Sequence, residues 1–386
     1  MQKELIAAAK QNPVVTITGP RQSGKTTLVK EAFPDKPYAN LESLRTRELA
    51  ETDPVGFIDR FPEGAVLDEI QRCPELLSEI QVRVDESNKN GMFILTGSHQ
   101  AGLHEAIAQS LAGRTAILHL LPLSIEELRE AGFTFTLDDL LYQGCFPRIY
   151  KNKMDPTKTY GSYVQTYLEK DLRQMIEVKN LHLFQKFIKL CAGRIGQIFN
   201  RESLSKEVGV SAKTISEWLS ILEASYLIFL LPPYFENFGK RTIKSPKLYF
   251  CDVGLAAYLL GIESTTQMDR DPLRGNLVEN LIILELIKSR WNQGHEHHLY
   301  FYRDSQKNEV DLLFQRGRDL IPIEIKSAKT FHKSFLDGLT KFKALVGDRY
   351  QSPTLIYSGK EEQTVKGIQL LHFSNCTKAL KKEQND

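Results

Sequence analysis

The octapeptide GPRQSGKT at residues 19–26 constrains the fold of this chain more than any other segment. It has the spacing G-x-x-x-x-G-K-[ST], in which a glycine-rich turn exposes successive backbone N–H groups. Its neighbours have the order such a loop requires. PVVTIT, at 13–18, is a β-branched run suited to a buried parallel strand. KTTLVKEAF follows with Leu28, Val29 and Phe33 at helical spacing. Strand, loop and helix together predict a phosphate cradle, with the loop amides and the helix N-terminus turned toward anionic oxygens. Gly19, Pro20, Arg21, Gln22, Ser23, Gly24, Lys25, Thr26 and Thr27 line that cradle. Lys25 is placed to reach the β- and γ-phosphates of ATP and to act in catalysis, and Thr26 to offer its hydroxyl to Mg²⁺.

A phosphate cradle needs an acidic partner. GAVLDEIQ, at 64–71, reads as an apolar strand closed by Asp68 and Glu69. The carboxyl ends of parallel strands are where an open α/β sheet collects its ligand site. Asp68 is expected to hold Mg²⁺ through water, and Glu69 to polarise the attacking water as general base. GMFILTGSHQ, at 91–100, reads as a further buried strand whose polar end offers Ser98 or His99 to the γ-phosphate or the water.

The 386 residues suggest more than one domain, and 41% apolar with 25% charged residues suffices for real cores. A net charge of +2 gives no global field toward nucleic acid, so such binding must come from local patches. The five cysteines include no C-x-x-C pair, which argues against a zinc ribbon or a disulfide framework. The first residues lack a signal-peptide core, and no segment approaches the roughly 20 apolar residues of a membrane span. The expectation is a cytoplasmic protein with no membrane partner.

The segments GPRQSGKTTL, VLDEIQRCP, FILTGS, LAGRTAILHLLPLSIEEL and YQGCFPRIY resemble the AAA+-type P-loop ATPases that carry a DUF4143 C-terminal region. The resemblance covers most of the chain. It implies an α/β fold with a P-loop parallel-sheet ATPase core at 1–122 and a helical lid and connector at 123–182, then a winged helix at 183–262 and an α/β PD-(D/E)xK nuclease-like domain at 263–386. It also gives Arg114, before the last core strand, the position of an arginine finger acting on a neighbouring subunit. A homo-oligomer would follow from that role; a helix-capping arginine is the alternative.

Beyond the core, Ser124-x-x-Glu127 is a capping-box pattern and Gly132 a helix stop. Residues 159–178 read as an amphipathic helix bearing Tyr163, Tyr167 and Leu168, with Asp171 on a solvated face. Residues 200–228 read as helix, turn at Gly209, helix, with Leu204 and Val208 before the turn and Ile215, Leu219 and Leu222 after it. This is helix-turn-helix spacing. A strand pair with a basic tip follows. Lys213 on the second helix, with Lys240, Arg241, Lys244 and Lys247 on the wing, form the expected DNA contact. Winged helices that bind protein instead are the competing reading.

In the last third, a helix from about residue 271 carries Glu279 at helical spacing with Leu277, Leu281, Leu284 and Ile287. A hairpin then carries Asp311, and LIPIEIK puts Glu324 and Lys326 on the face opposite Ile321, Ile323 and Ile325. Carboxylates gathered this way repel one another unless a cation compensates them. Mg²⁺ held by Glu279, Asp311 and Glu324, with Glu324 and Lys326 as catalytic groups, is the expectation, and it resembles the helix-acid, D, E-x-K order of PD-(D/E)xK nucleases. A salt-bridged β surface is the alternative. Lys329, Lys333, Lys341 and Lys343 follow in a basic helical stretch. The histidines of GHEHH, at 294–298, read as a solvated loop. The sequence thus predicts an ATPase coupled to nucleic-acid binding or processing; the competing possibility is a nucleotide-dependent switch or scaffold whose nuclease-like domain only binds.

Overall fold

The computed structural model describes residues 1–98, 106–107, 109–167, 181–235 and 244–381. The chain forms two compact units. The first comprises Met1–Pro122, Ala224–Leu227 and Arg290–His295; the second comprises Leu123–Glu223, Ile228–Ser289 and Glu296–Asp386.

The first unit is an α/β layer structure. Its elements are α1 (Gln2–Gln11), β1 (Val14–Thr18), α2 (Lys25–Ala32), β2 (Tyr38–Asn40), α3 (Leu44–Thr52), α4 (Pro54–Asp59), β3 (Ala65–Asp68), α5 (Leu76–Ser87), β4 (Phe93–Gly97) and β5 (Thr115–His119). The strands form one parallel sheet in the order β2-β3-β4-β1-β5. β1 is held centrally, with Val15 opposite Ile94 on β4 and Ala116 on β5. Alternation assigns the faces: Val14, Leu67, Phe93 and Leu95 pack into one buried cluster, and Val15, Ile17, Val66 and Ile94 into another on the opposite side. A sheet buried on both faces explains why these strands read as unbroken apolar runs.

The second unit begins with short helices, α6 (Ile125–Glu130), α7 (Leu137–Gln143), α8 (Pro147–Lys151) and α9 (Pro156–Tyr163). Ser124 and Glu127 form both halves of the capping box on α6, and Gly132 takes a left-handed φ of +82° just after it. Of the expected helix at 159–178, Tyr163 is buried at the end of α9, whereas Leu168 and Asp171 lie outside the described residues. Next come α10 (Leu181–Ala192), α11 (Arg201–Val208) and α12 (Ala212–Ala224). Gly209 ends α11 at φ +89°, and the Ser211 hydroxyl accepts from the Thr214 N–H at 3.0 Å. Leu204, Val208, Ile215, Leu219 and Leu222 are all buried, so the helix-turn-helix forms as its spacing predicts. β6 (Ile228–Leu231) and β7 (Lys247–Phe250) pair antiparallel after it.

The remaining elements are α13 (Val253–Leu259), α14 (Thr265–Arg270), α15 (Arg274–Trp291), β8 (Leu299–Arg303), β9 (Glu309–Arg316), β10 (Asp319–Lys326), α16 (Asp337–Val346), β11 (Thr354–Tyr357), β12 (Gln363–Val365) and β13 (Ile368–His372). They build a mixed six-stranded sheet in the order β12-β13-β11-β10-β9-β8. β10 lies inside it, antiparallel to β9 and parallel to β11. Helix α15 is buried nearly all round rather than along one stripe. Its polar groups are used locally: Glu285 accepts from the Ile125 N–H at 2.7 Å, and Lys288 donates to the Leu123 carbonyl at 2.8 Å. Among the described residues no helix is long and apolar enough to cross a membrane.

Candidate functional sites

The phosphate loop runs from the end of β1 to the start of α2. Gly19 adopts φ +154°, Gln22 +65° and Gly24 +98°, so the loop turns through conformations that favour glycine. Gly19 is required for a second reason: a Cβ there would lie 2.0 Å from the Leu120 carbonyl oxygen. Thr18, just before it, is hydrogen-bonded to the Tyr226 hydroxyl at 2.6 Å and to His119 Nδ1 at 2.9 Å.

Lys25 folds back over its own loop. Its ammonium donates to the Gly19 and Pro20 carbonyls at 2.9 and 2.8 Å. Burial lowers its pKa to about 8, against the raising pull of Glu69 and Asp68. The Ser23 hydroxyl is buried and has no partner among the described residues. Thr26, one residue on, donates to Asp68 Oδ2 at 2.9 Å, which ties the first turn of α2 to the end of β3.

Asp68 is buried and receives three hydroxyls: Thr26, Tyr38 at 2.6 Å, and Thr96 from the intervening strand β4. Burial raises the Tyr38 phenol pKa, and its hydrogen bond to the Asp68 carboxylate adds to the effect. Glu69 leaves the strand with a left-handed φ of +60°. Ser98 donates to its Oε2 at 3.0 Å and the Gln71 amide also donates to it. The sequence-expected Asp68, Glu69, Ser98 and Thr26 are therefore joined around one set of strand ends; His99 lies outside the described residues. Tyr38, Thr96 and Gln71 were not legible as site residues. They enter because the strand order inserts β4 between β1 and β3 and places β2 beyond β3, which no local pattern announces. The hydroxyl and carboxylate oxygens of Thr26 and Asp68 fit a hard cation such as Mg²⁺. Arg114 is partly exposed and makes a bidentate pair with Asp85 of α5, at 2.6 and 2.8 Å.

The second unit gathers a separate charged cluster. Lys326 reaches Asp311 at 3.2 Å and Glu324 at 2.5 Å. Asp311 Oδ2 also accepts the Ile325 N–H at 2.9 Å. Glu279, on α15, meets Tyr249 at 2.5 Å and Lys247 at 2.9 Å, and Lys247 also binds Glu309 at 2.7 Å. Burial raises Glu324 to about 8, with the Asp311 charge adding to it; its Oε2 is buried and has no hydrogen-bond partner among the described residues. Burial alone would lower the Lys247 pKa, but Glu279, Glu309 and Asp311 outweigh it and keep the ammonium charged.

This geometry corrects two expectations. Lys247 does not belong to an exposed basic wing: only 3% of it is exposed, because it points from β7 into the carboxylates. The cations compensating Glu279, Asp311 and Glu324 are the ammonium groups of Lys247 and Lys326, and among the described residues no group of three or more His, Cys, Asp or Glu is arranged to hold a metal. Lys247, Tyr249 and Glu309 are members that sequence reasoning missed. The signal was period-two placement: Lys247 with Tyr249 on β7, and Glu309 with Asp311 on β9. Lys213 and Lys244 are exposed, whereas Lys240 and Arg241 lie outside the described residues. Lys213 stands 3.9 Å from Glu217.

Comparison with known proteins places these features. Residues 11–129 match the model of an AAA domain, 134–266 a domain of unknown function (DUF8612), and 274–376 a domain of unknown function (DUF4143). An uncharacterized protein of Mycobacterium tuberculosis is 29% identical over 328 residues, covering 84% of this chain and 72% of that protein. An uncharacterized protein of Haemophilus influenzae is 22% identical over 407 residues, covering 96% and 95%. Among solved structures, a Walker-type ATPase of Pyrococcus abyssi is similar over 67% of this chain and 94% of that one, at 14% identity and a TM-score of 0.46. A STAND protein with a tetratricopeptide-repeat sensor from Pyrococcus horikoshii is similar over 75% and 47%, at 14% identity and a TM-score of 0.24.

Proposed function

We propose that this chain, an AAA-type P-loop ATPase-domain protein with a DUF4143 C-terminal region, binds ATP with Mg²⁺, hydrolyses the ATP, and couples the cycle to nucleic-acid binding. The observation that supports the reading is the link from Thr26 through Asp68 and Thr96 to the Glu69 backbone N–H, with the Glu69 carboxylate held at the same strand ends by Ser98 and Gln71. Thr26 and Asp68 would hold Mg²⁺, which supplies charge neutralisation on the phosphates. Lys25 leaves the Gly19 and Pro20 carbonyls for the β- and γ-phosphate oxygens. The loop amides take the remaining anionic oxygens. Glu69 accepts a proton from the attacking water, and Ser98 and Gln71 orient its carboxylate. Arg114 is proposed to exchange Asp85 for the γ-phosphate of a neighbouring copy, which makes the working form a homo-oligomer.

The nucleic-acid reading rests on the helix-turn-helix with exposed Lys213 and Lys244, and DNA is the partner we favour. Incubating the purified chain with plasmid and with single-stranded DNA tests it, with ATP and Mg²⁺ or Mn²⁺ varied separately. Nucleotide-dependent retention of DNA supports the reading, and indifference to both contradicts it. A second reading, in which the nuclease-like part binds without cutting, is favoured by one observation: Lys247 and Lys326 already neutralise the carboxylates that a cleaving site would offer to metal.

A further inference from the structure

The residue that leads into the phosphate loop is bonded to the turn that leaves the helix-turn-helix. The inference drawn from this bond concerns the regulation of the ATP site proposed above and rests on that reading. Thr18 closes β1 and is fully buried. Its hydroxyl, the Tyr226 hydroxyl and His119 Nδ1 form a triangle of hydrogen bonds, with 2.6 Å between the hydroxyls, 2.9 Å from Thr18 to His119 and 2.8 Å from His119 to Tyr226. The strand register sets His119 on β5 opposite Thr18, and the Leu120 N–H donates to the Thr18 carbonyl at 2.8 Å. The ring of Trp291 lies against His119, centroids 4.9 Å apart. Tyr226 comes from a distant part of the sequence. It stands just past the end of α12, in the short segment Ala224–Leu227 that belongs to the first unit. Its backbone is left-handed at φ +54° and its side chain is buried. A bulky aromatic residue keeps that conformation only where its surroundings over-determine it. The adjacent Ser225 hydroxyl is buried and has no hydrogen-bond partner among the described residues. Of these two side chains at the turn, Tyr226 is therefore the one anchored by hydrogen bonds.

We propose that Tyr226 is a positioning residue that couples nucleotide occupancy of the phosphate loop to the setting of helix α12, through its hydroxyl on Thr18. In the nucleotide-free chain Lys25 bonds the carbonyls of Gly19 and Pro20, the two residues that follow Thr18. Phosphate that draws Lys25 away frees both peptides beside the Thr18 bond. A bond between buried hydroxyls is costly to break, so the turn at Tyr226 follows the loop rather than letting go. That turn continues directly from α12, which carries the exposed Lys213 near its start and Trp218 on its packed face, 5.2 Å from Phe184 and 5.3 Å from Phe187 of α10. Coupling of this kind is reciprocal: whatever restrains α12 changes nucleotide affinity by the same factor.

Trp218 and Trp291 are the two tryptophans of the chain. Trp291→Phe keeps an aromatic ring beside His119 and leaves Trp218 as the single tryptophan reporter, on α12. The test follows its emission in the full-length Trp291→Phe chain as ATP and Mg²⁺ are added, while calorimetry measures nucleotide binding by the same samples. A saturable change in Trp218 emission that tracks the binding isotherm is expected. Adding Tyr226→Phe removes one hydroxyl and keeps the ring; this chain is expected still to bind ATP and to lose the Trp218 change. Thr18→Val removes the same bond from its other side and is expected to do likewise, and the two together to do no more than either alone. ATP binding with no change at Trp218, or a change that persists in a folded Tyr226→Phe chain, overturns the proposal and leaves the ATP reading standing. Absence of both heat and emission change overturns the ATP reading itself, and the proposal with it. Should Tyr226→Phe fail to fold, Thr18→Val carries the test; failure of both to fold marks the bond as purely structural and overturns the proposal. The emission change separates coupling from mere support, because a group that only stabilises the fold leaves the response to nucleotide in place in any variant that folds.

Discussion

Glu69 carries two constraints at once: a left-handed backbone at φ +60° and a carboxylate fixed by Ser98 and Gln71. A non-glycine residue in that region is uncommon and marks a position that the surrounding structure over-determines. A glutamine retains the shape and removes the base. Glu69→Gln should therefore bind ATP with near wild-type affinity and hydrolyse it at least about 100-fold more slowly; phosphate release under saturating ATP checks this, and unchanged turnover removes Glu69 from its role. Lys25 makes a pH prediction. Its pKa in the nucleotide-free chain is held near 8 by burial. This is below the unfolded value of 10.5, so between those limits the unfolded chain binds more protons and stability rises with pH. Binding of phosphate needs the charged form. ATP affinity should accordingly be flat below pH 8 and fall by up to about tenfold per pH unit above it, as measured by titration calorimetry.

At the scale of elements, the turn from β1 into α2 works only if the chain passes close to the residue after β5. Gly19→Ala would drive a Cβ to 2.0 Å from the Leu120 carbonyl, and backbone is a neighbour that cannot step aside cheaply. The expected outcome is a fall in unfolding temperature together with a loss of ATP affinity of at least about tenfold, since the same turn aims the loop amides. Wherever the physics is local, the elements were legible. The apolar runs at 14–18, 65–68 and 93–97 are strands, the Ser124 box caps its helix, and Gly209 turns the helix pair. The P-loop and the two acids of β3 carry their chemistry in a few consecutive residues, and so could be placed in advance. Lys247 could not. A lysine two residues before a tyrosine near a basic stretch looks like surface, and only the pairing of β7 with β6 and the approach of α15 turn it toward Glu279. Tyr38 was hidden for a similar reason, being brought to Asp68 by the neighbouring strand β2 and by no pattern around it.

At the scale of the whole molecule, the chain divides its chemistry between two units, a phosphate-loop unit and a unit holding the helix-turn-helix and the charged cluster. Arg114 bears on how many chains work together. Its pairing with Asp85 is partly exposed and so contributes little to stability. Arg114→Ala should leave ATP affinity intact and lower turnover by roughly 10³-fold if the residue serves a neighbour's phosphate. Specific activity of the wild type should then rise with protein concentration, and a concentration-independent rate would contradict the role in trans. The most direct measurement for the whole account is titration calorimetry of the folded wild-type chain and of Lys25→Ala with ATP and Mg²⁺. The predicted result is saturable heat of association for the wild type and none for the variant. A wild-type chain that takes up no ATP, or a variant that binds it equally well, would contradict the account.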